Sequence, residues 1–130
     1  MLDVTDDQFA ELIAESIDEL VDQLPEQHGQ AIQNVAITYE DEPTPAQRVQ
    51  LELRNDQSLF GLYEGVPLSK RQGMTNLAPD KITIFKVPML HFVHDMAQLK
   101  EQVKHTLWHE LGHYFGLDHP AIYAIEDRWK

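Results

Sequence analysis

The first feature of the chain is an amphipathic segment near its start. Between residues 5 and 25, apolar side chains recur three and four positions apart, and acidic side chains occupy many of the positions between them. This spacing predicts a helix with one apolar face, because residues three and four apart lie on the same side of a helix. Thr5 and Gln8 fit a capping box at its first turn, and Pro25 follows its last turn.

The same spacing returns between residues 95 and 116, which predicts a second long helix. Asp95 and Gln98 are placed to cap its start. Gly116 is placed to end it, because glycine adopts a left-handed backbone without the steric penalty of a side chain. The last ten residues, 121–130, predict a short closing helix.

Between the two helices, alternating β-branched and aromatic residues predict strands. Residues 34–43 alternate in this way before two prolines close the segment, and residues 81–90 contain a second clear strand that ends at Pro88. Residues 46–59 fit either a short strand or a helical turn. We favour the strand, which would run through Val49, Leu51 and Leu53.

Glycine and proline are concentrated between residues 59 and 80, which predicts a loop that approaches another part of the molecule closely. The order along the chain is therefore helix, strands, helix and helix. This order predicts an α+β fold with a small sheet and helices packed on it.

Length and composition are those of an ordinary folded protein. A chain of 130 residues is expected to form a single domain over residues 1–130, and 42% hydrophobic residues are too many for a disordered chain. The sequence has no apolar run of membrane-spanning length, no secretory signal pattern and no cysteine. These features favour the cytoplasm, and any zinc site must use nitrogen and oxygen ligands.

The formal net charge of −12 argues against a nucleic-acid partner, because phosphate binding needs clustered lysine and arginine. The basic residues, such as Lys70 and Arg71, are too few to form a stripe. The excess of acidic residues is expected mainly to keep the chain in solution. Nothing in the sequence indicates an oligomeric state.

Four of the seven histidines lie in one segment, HTLWHELGHYFGLDH. His109 and His113 are one helical turn apart, so both imidazoles project from one face and can hold the same zinc ion. Glu110 is rotated away from this pair by one residue, which suits a general base acting on a zinc-bound water. After the break at Gly116, His119 can return as a third ligand and leave a fourth position open.

Chance rarely produces the full spacing H-E-x-x-H-x-x-G-x-x-H. For this composition the short form H-E-x-x-H arises in about three chains of a hundred, and the long form in roughly one of ten thousand. We therefore predict that zinc is the cofactor and that Glu110 is the catalytic base. The predicted zinc ligands are His109, His113 and His119. Asp118 and Glu126 remain alternatives for the third ligand.

The other histidines are expected to lie outside the metal site. His105 sits one turn before the motif, where a role beside the site or on the surface is favoured over ligation. His91 and His94 are expected to face solvent. His28, which precedes a glycine, is expected in a turn.

The segment HELGHYFGLDH resembles the active-site helix of zincin metallopeptidases, and its long form is similar to the metzincin ligand pattern. No methionine follows His119, whereas metzincins carry one after the third histidine. The chain is more similar to the small bacterial zincin-like, or minimal zincin, metallopeptidases. This resemblance runs from about residue 5 to residue 119 and rests on the acidic first helix followed by NVAITYEDEP, LFGLYEGVPL, PDKITIF and HTLWHELGHYFGL.

The resemblance implies a minimal zincin-like fold, in which a small mixed sheet packs on the N-terminal helix and on the helix that bears the HExxH motif. It also implies a zinc-dependent peptidase with a peptide or protein substrate. His109 and His113 would hold zinc, and Glu110 would be the base. Members of this small family often carry Asp at the position of His119.

The residues leave two functions open. The first is a peptidase, in which the strand from Ile82 to Phe85 could bind substrate by edge addition. A hydrogen bond to the oxyanion could then come from Tyr63, Tyr114 or Tyr123. The second is a non-catalytic, zinc-stabilised domain that binds a partner protein. Glu110 favours the peptidase, because a structural metal site needs no base.

Overall fold

The computed structural model describes residues 1–52, 60–68 and 80–128. The helices are α1 (Asp6–Gln23), α2 (Glu26–Ile32), α3 (Pro45–Glu52), α4 (Lys86–Phe92), α5 (Met96–Phe115) and α6 (His119–Asp127). The strands are β1 (Val35–Glu40), β2 (Gly61–Glu64) and β3 (Asp80–Phe85). The α+β class predicted from the sequence is confirmed.

The three strands form one mixed sheet in the order β1-β3-β2. β1 runs parallel to β3, with Ile37 opposite Ile82. β2 runs antiparallel to β3, with Tyr63 opposite Ile82 on the other side. β3 is therefore the central strand, and five of its six residues are buried. Such a nearly continuous buried run is expected of a central strand with both faces covered.

Helix α5 lies at the centre of the packing, because it contacts α1, β2, β3, α4 and α6. The second half of α5 is buried on almost every side, whereas α1 buries one face. A helix that is apolar on most of its circumference belongs inside a core. The largest fully buried side chains of α5 are Leu99, Leu107, Trp108, Leu111 and Tyr114.

The helix caps predicted from the sequence are present. Thr5 and Gln8 exchange hydrogen bonds between their side chains and main-chain N–H groups, at 3.1 and 2.9 Å. The Asp95 carboxylate accepts the N–H of Gln98 at 2.8 Å. Gly116 ends α5 in the left-handed region, with φ of 82°.

The favoured strand over residues 46–59 is wrong where the structure describes it, because this segment belongs to α3. Thr44 and Gln47 form a capping box, with the Gln47 N–H donating to Thr44 Oγ1 and the Thr44 N–H donating to Gln47 Oε1. Pro45 begins the helix, where its missing N–H costs no hydrogen bond. Residues 53–59 lie outside the described residues.

Two further predictions are corrected by the structure. The loop predicted over residues 59–80 contains strand β2, which forms because it pairs with β3 and packs on α5. The strand predicted to reach Pro88 ends at Phe85, and α4 follows with Pro88 in its first turn, where proline is tolerated. Residues 69–79, with Lys70 and Arg71, lie outside the described residues.

His28 is a fourth correction, because it lies within α2 and not in a turn. Pro25 ends α1 as predicted, but it also occupies the cap position of this second helix. Proline suits both places, because it cannot continue a helix and its fixed φ is compatible with starting one.

No helix within the described ranges is both long and apolar enough to cross a bilayer.

Helix α6 lies against the last turns of α5 at Gly112. Ile122 occupies the space that a side chain at Gly112 would need, because a Cβ atom there would lie 2.5 Å from Ile122 Cδ1. One turn earlier on α5, Trp108 Nε1 donates to the Ile122 carbonyl oxygen at 2.9 Å. At the far end of α6, Glu126 Oε1 contacts His105 Nδ1. These three contacts fix α6 along α5.

Gly112→Ala should destabilise the chain by about 1–3 kcal/mol, because the added methyl group overpacks the contact with Ile122. Chemical unfolding of the chain in excess chelator measures this effect. Ile122→Ala alone should cost about 2–5 kcal/mol through the cavity that it leaves. The double variant should be more stable than the sum of the two losses predicts, because the shortened side chain makes room for the methyl group. Strictly additive losses would contradict the contact.

Candidate metal centre

The three histidines of the long motif meet at the junction of α5 and α6. His109 and His113 lie on α5, His119 begins α6, and one ligand nitrogen of each lies within 4.8 Å of the other two. His109 is buried and the other two are half-buried. Within the described ranges, no other group of histidine and carboxylate side chains converges in this way.

The reversal of the chain between the two helices places His119. Gly116 takes the left-handed conformation that ends α5, and its N–H bonds back to the last turn of that helix. Asp118 then caps α6, and its carboxylate accepts the N–H of Ala121 at 2.9 Å. The two caps turn the chain within three residues, so the third histidine returns beside the other two.

Glu110 lies beside the histidines and is fully buried. Its Oε1 accepts the main-chain N–H of Tyr63, in β2, at 2.9 Å. β2 comes this close to α5 because Gly61 has no side chain: a Cβ atom there would lie 2.6 Å from Thr106 Cγ2. The strand thereby fixes the orientation of the carboxylate.

Helix α5 presents different residues to its two neighbours. Successive residues are rotated by about 100° around a helix, so positions four apart lie close to one line. Thr106 and Glu110 face β2, whereas Trp108 and Gly112 face α6. His109 projects between these two sides. The histidines therefore lie between the side of α5 that packs on β2 and the side that packs on α6, and we call the space above them the groove.

Neither alternative third ligand joins the histidine cluster. Asp118 is engaged in capping α6. Glu126 contacts His105, whose side chain is 45% exposed one turn before the motif. His105 thus lies beside the cluster, in agreement with the sequence, and ligation by His119 stays a prediction.

The remaining histidines do not belong to the cluster. His91 and His94 are exposed, as predicted. His28 is half-buried and stacks on Phe115, with 4.5 Å between ring centroids. This burial lowers the pKa of His28 below its ordinary value.

The sequence favours none of the three tyrosines that could donate a hydrogen bond to the oxyanion, but their hydroxyl groups have different surroundings in the structure. The Tyr63 hydroxyl donates to a buried carboxylate of β3 at 2.8 Å. The Tyr114 hydroxyl donates to a main-chain carbonyl oxygen of α2 at 3.0 Å. Tyr123 lies on α6, with its ring centroid 6.4 Å from that of His109.

The strand expected to bind substrate by edge addition does not have an open edge. Ile82–Phe85 belong to β3, which pairs with β1 on one side and β2 on the other. The side of β2 that faces away from β3 lies toward Glu110 of α5, because the N–H of Tyr63 donates to that carboxylate. The expectation for Ile82–Phe85 is therefore wrong.

Two features of the site carry no motif in the sequence. The first is the N–H of Tyr63, because a main-chain donor has no residue-specific signal; the nearby Gly61 gives only the hint of a close approach. The second is a cavity of 760 Å³ beside the N-terminal half of α5, lined in part by Phe92, Gln98 and His105. Its volume is typical of ligand sites, about 300–1,000 Å³. It adjoins the histidine cluster without including it.

The donor set fits zinc. Imidazole nitrogen is a preferred zinc ligand where no thiolate is present, and catalytic zinc sites use three protein ligands with one position open. The converging nitrogens of His109, His113 and His119 supply that number. Two of the three rings are half-buried, so the cluster is accessible from the groove.

Comparison with known proteins agrees with the geometry. The sequence profile of the family described as zincin-like metallopeptidase matches residues 32–129, which include the histidine cluster and Glu110. No curated protein matches the sequence. The family supports a peptidase and implies a metal ion, typically zinc. The match covers most of the chain, which therefore belongs to the zincin-like metallopeptidase family.

Proposed function

We propose that the chain is a zinc-dependent peptidase in which Glu110 is the general base. One arrangement on α5 carries the proposal. Three histidine nitrogens converge within 4.8 Å, and the residue after His109 is a buried glutamate whose carboxylate is held by a main-chain N–H at 2.9 Å. A purely structural metal site does not need such a carboxylate.

His109, His113 and His119 would hold the metal. When bound, zinc is a Lewis acid that polarises the scissile carbonyl group and makes water more acidic. Among the described residues the converging group has three members, so it does not form a closed four-ligand cage. An open position of this kind distinguishes catalytic from structural zinc sites.

Glu110 would move the proton. It would accept a proton from water as the water oxygen attacks the carbonyl carbon, and then deliver this proton to the leaving amine. The Tyr63 N–H supports this role, because it holds the carboxylate in one orientation. A positioned base is more effective than a mobile one, since proton transfer needs the donor and acceptor within hydrogen-bond reach.

The side of β2 that faces away from β3 is the proposed place for the peptide backbone. Residues of an antiparallel strand direct their N–H and C=O groups alternately toward and away from the paired strand. Because the Tyr63 N–H points away from β3, Gly61, two residues earlier, directs its main-chain groups to the same side. A peptide added there would lie over the groove.

The proposed substrate is a peptide or a protein. We propose neither a nucleic-acid nor a membrane partner, because the net charge of −12 would repel phosphate groups.

Zinc should stabilise the folded chain, because the three histidines come together only in the native state. Saturation at 100 times the dissociation constant corresponds to about 2.7 kcal/mol. The melting temperature should fall by several degrees in excess chelator and recover when zinc is restored. His91→Ala, at an exposed histidine outside the cluster, should keep the same response. A melting temperature that does not depend on chelator would contradict the metal site.

His119→Ala should weaken zinc binding by more than about 100-fold, because even the loss of an outer hydrogen-bond partner of a ligand costs 10- to 100-fold. Asp118→Ala should have a smaller effect on zinc affinity. It should mainly lower stability, by about 0.5–2 kcal/mol, through loss of the helix cap. Titration with a competing zinc indicator measures both affinities. A larger loss of affinity in Asp118→Ala would mean that the aspartate is the third ligand.

Glu110→Gln should reduce peptide hydrolysis by about 10²–10⁴-fold, because an amide cannot accept the proton of the attacking water. The amide oxygen can still accept the Tyr63 N–H, so folding and zinc affinity should stay close to those of the parent. Cleavage of a mixed library of unfolded peptides, with zinc present, measures the loss.

Glu15→Gln provides the matched control for this change, because Glu15 lies on the exposed side of α1. It should leave hydrolysis unchanged. If Glu110→Gln cleaves as fast as the parent, Glu110 is not the base. If Glu110→Gln matches the parent in binding a partner protein and neither form cleaves any peptide, the data would support a non-catalytic zinc-stabilised binding domain.

A further inference from the structure

The four tyrosines of the chain divide clearly by the position of their hydroxyl groups. Three of them donate hydrogen bonds within the fold, and these are Tyr39, Tyr63 and Tyr114. Tyr123 makes no hydrogen bond to another described residue, and 48% of it is exposed. Its ring centroid lies 6.4 Å from that of His109 and 6.3 Å from that of His119.

The fold holds Tyr123 in this place. It lies one helical turn after His119, so both side chains project from the same face of α6. The preceding residue, Ile122, is fixed on α5 by its contact with Gly112 and by the hydrogen bond from Trp108. A side chain on a firmly packed helix has a defined position, which a catalytic hydrogen-bond donor needs.

Tyr123 and Glu110 lie on opposite sides of the histidines. Glu110 is on the side of α5 that faces β2, whereas Tyr123 belongs to α6, which packs on the other side. A base that guides the attacking water and a donor that binds the carbonyl oxygen must approach the carbonyl carbon from different directions. The groove provides these two directions.

We propose that Tyr123 donates a hydrogen bond to the carbonyl oxygen of the scissile peptide bond, an inference that rests on the proposed peptidase function. As the bond from the water oxygen to the carbonyl carbon forms, the π electrons move onto the carbonyl oxygen and Glu110 takes the water proton. The phenol O–H stabilises the negative oxygen and keeps its own proton. The carbon–nitrogen bond then breaks, and Glu110 protonates the amine.

Tyr123→Phe tests the proposal in the zinc-loaded full chain, because it removes only the hydroxyl group. The turnover number on unfolded peptides should fall by roughly 10- to 1,000-fold, the range expected when one oxyanion donor is lost. KM and zinc affinity should each stay within about threefold of the parent values. Tyr39→Phe makes the same chemical change on β1, away from the groove, and should leave all three quantities unchanged.

A binding measurement that needs no turnover gives a second readout. Inorganic phosphate offers a tetrahedral oxyanion to the zinc-loaded chain. Its affinity should be roughly tenfold or more weaker in Tyr123→Phe, because a hydrogen bond to a charged oxygen is lost. Calorimetric titration of the parent, Tyr123→Phe and Tyr39→Phe with phosphate measures this difference.

The possible results distinguish the role of Tyr123 from the proposed peptidase function. Equal phosphate affinity in parent and Tyr123→Phe would overturn the role of Tyr123 and leave the proposed peptidase intact. A tenfold loss of zinc affinity in Tyr123→Phe would also overturn it, because the phenol would then act as a metal ligand. A higher KM with an unchanged turnover number would reduce Tyr123 to a binding contact and overturn the proposal. Failure of the parent to take up zinc would overturn both ideas together.

Discussion

The close contact between α5 and α6 at Gly112 is the constraint on which the candidate site depends. Because this residue has no side chain, Ile122 packs directly against the helix backbone. The Trp108 hydrogen bond to the Ile122 carbonyl oxygen then fixes α6 along α5 as well as against it. The position of α6 determines where His119 and Tyr123 lie. The contact of Ile122 with the backbone at Gly112 thus sets the positions of His119 and Tyr123, although neither residue takes part in it.

The opposite side of α5 is organised by a strand. Here too a glycine permits the approach, since Gly61 allows β2 to lie against the helix and to donate the Tyr63 N–H to Glu110. A main-chain donor on a paired strand is well suited to this task, because the sheet holds it more firmly than rotatable bonds hold a side chain. The buried helix therefore places Glu110 toward the sheet, the histidines in the groove and α6 on the far side.

Features set by neighbours along the chain were predictable from the sequence. The histidine pair at helical spacing and the left-handed end at Gly116 follow from local geometry, and the structure places them accordingly. β2 was missed because four residues that include glycine resemble a loop until β3 pairs with them. The capping box of Thr44 and Gln47 is a local signal for a helix start, and the prediction of a strand overlooked it. The donor to Glu110 could not be predicted, because any residue but proline supplies a main-chain N–H.

Helix geometry explains why His119, and not Asp118 or Glu126, joins the histidine cluster. Asp118, His119 and Glu126 all carry atoms that zinc accepts. The residue at the N-cap turns its side chain back to the first turn, and Asp118 is occupied there by the N–H of Ala121. Glu126 lies seven residues beyond His119, about 10 Å along the helix at 1.5 Å per residue, so it reaches His105 and not the cluster. Only the first residue of α6 remains next to His113, and the same spacing brings Tyr123, one turn later, to the edge of the groove.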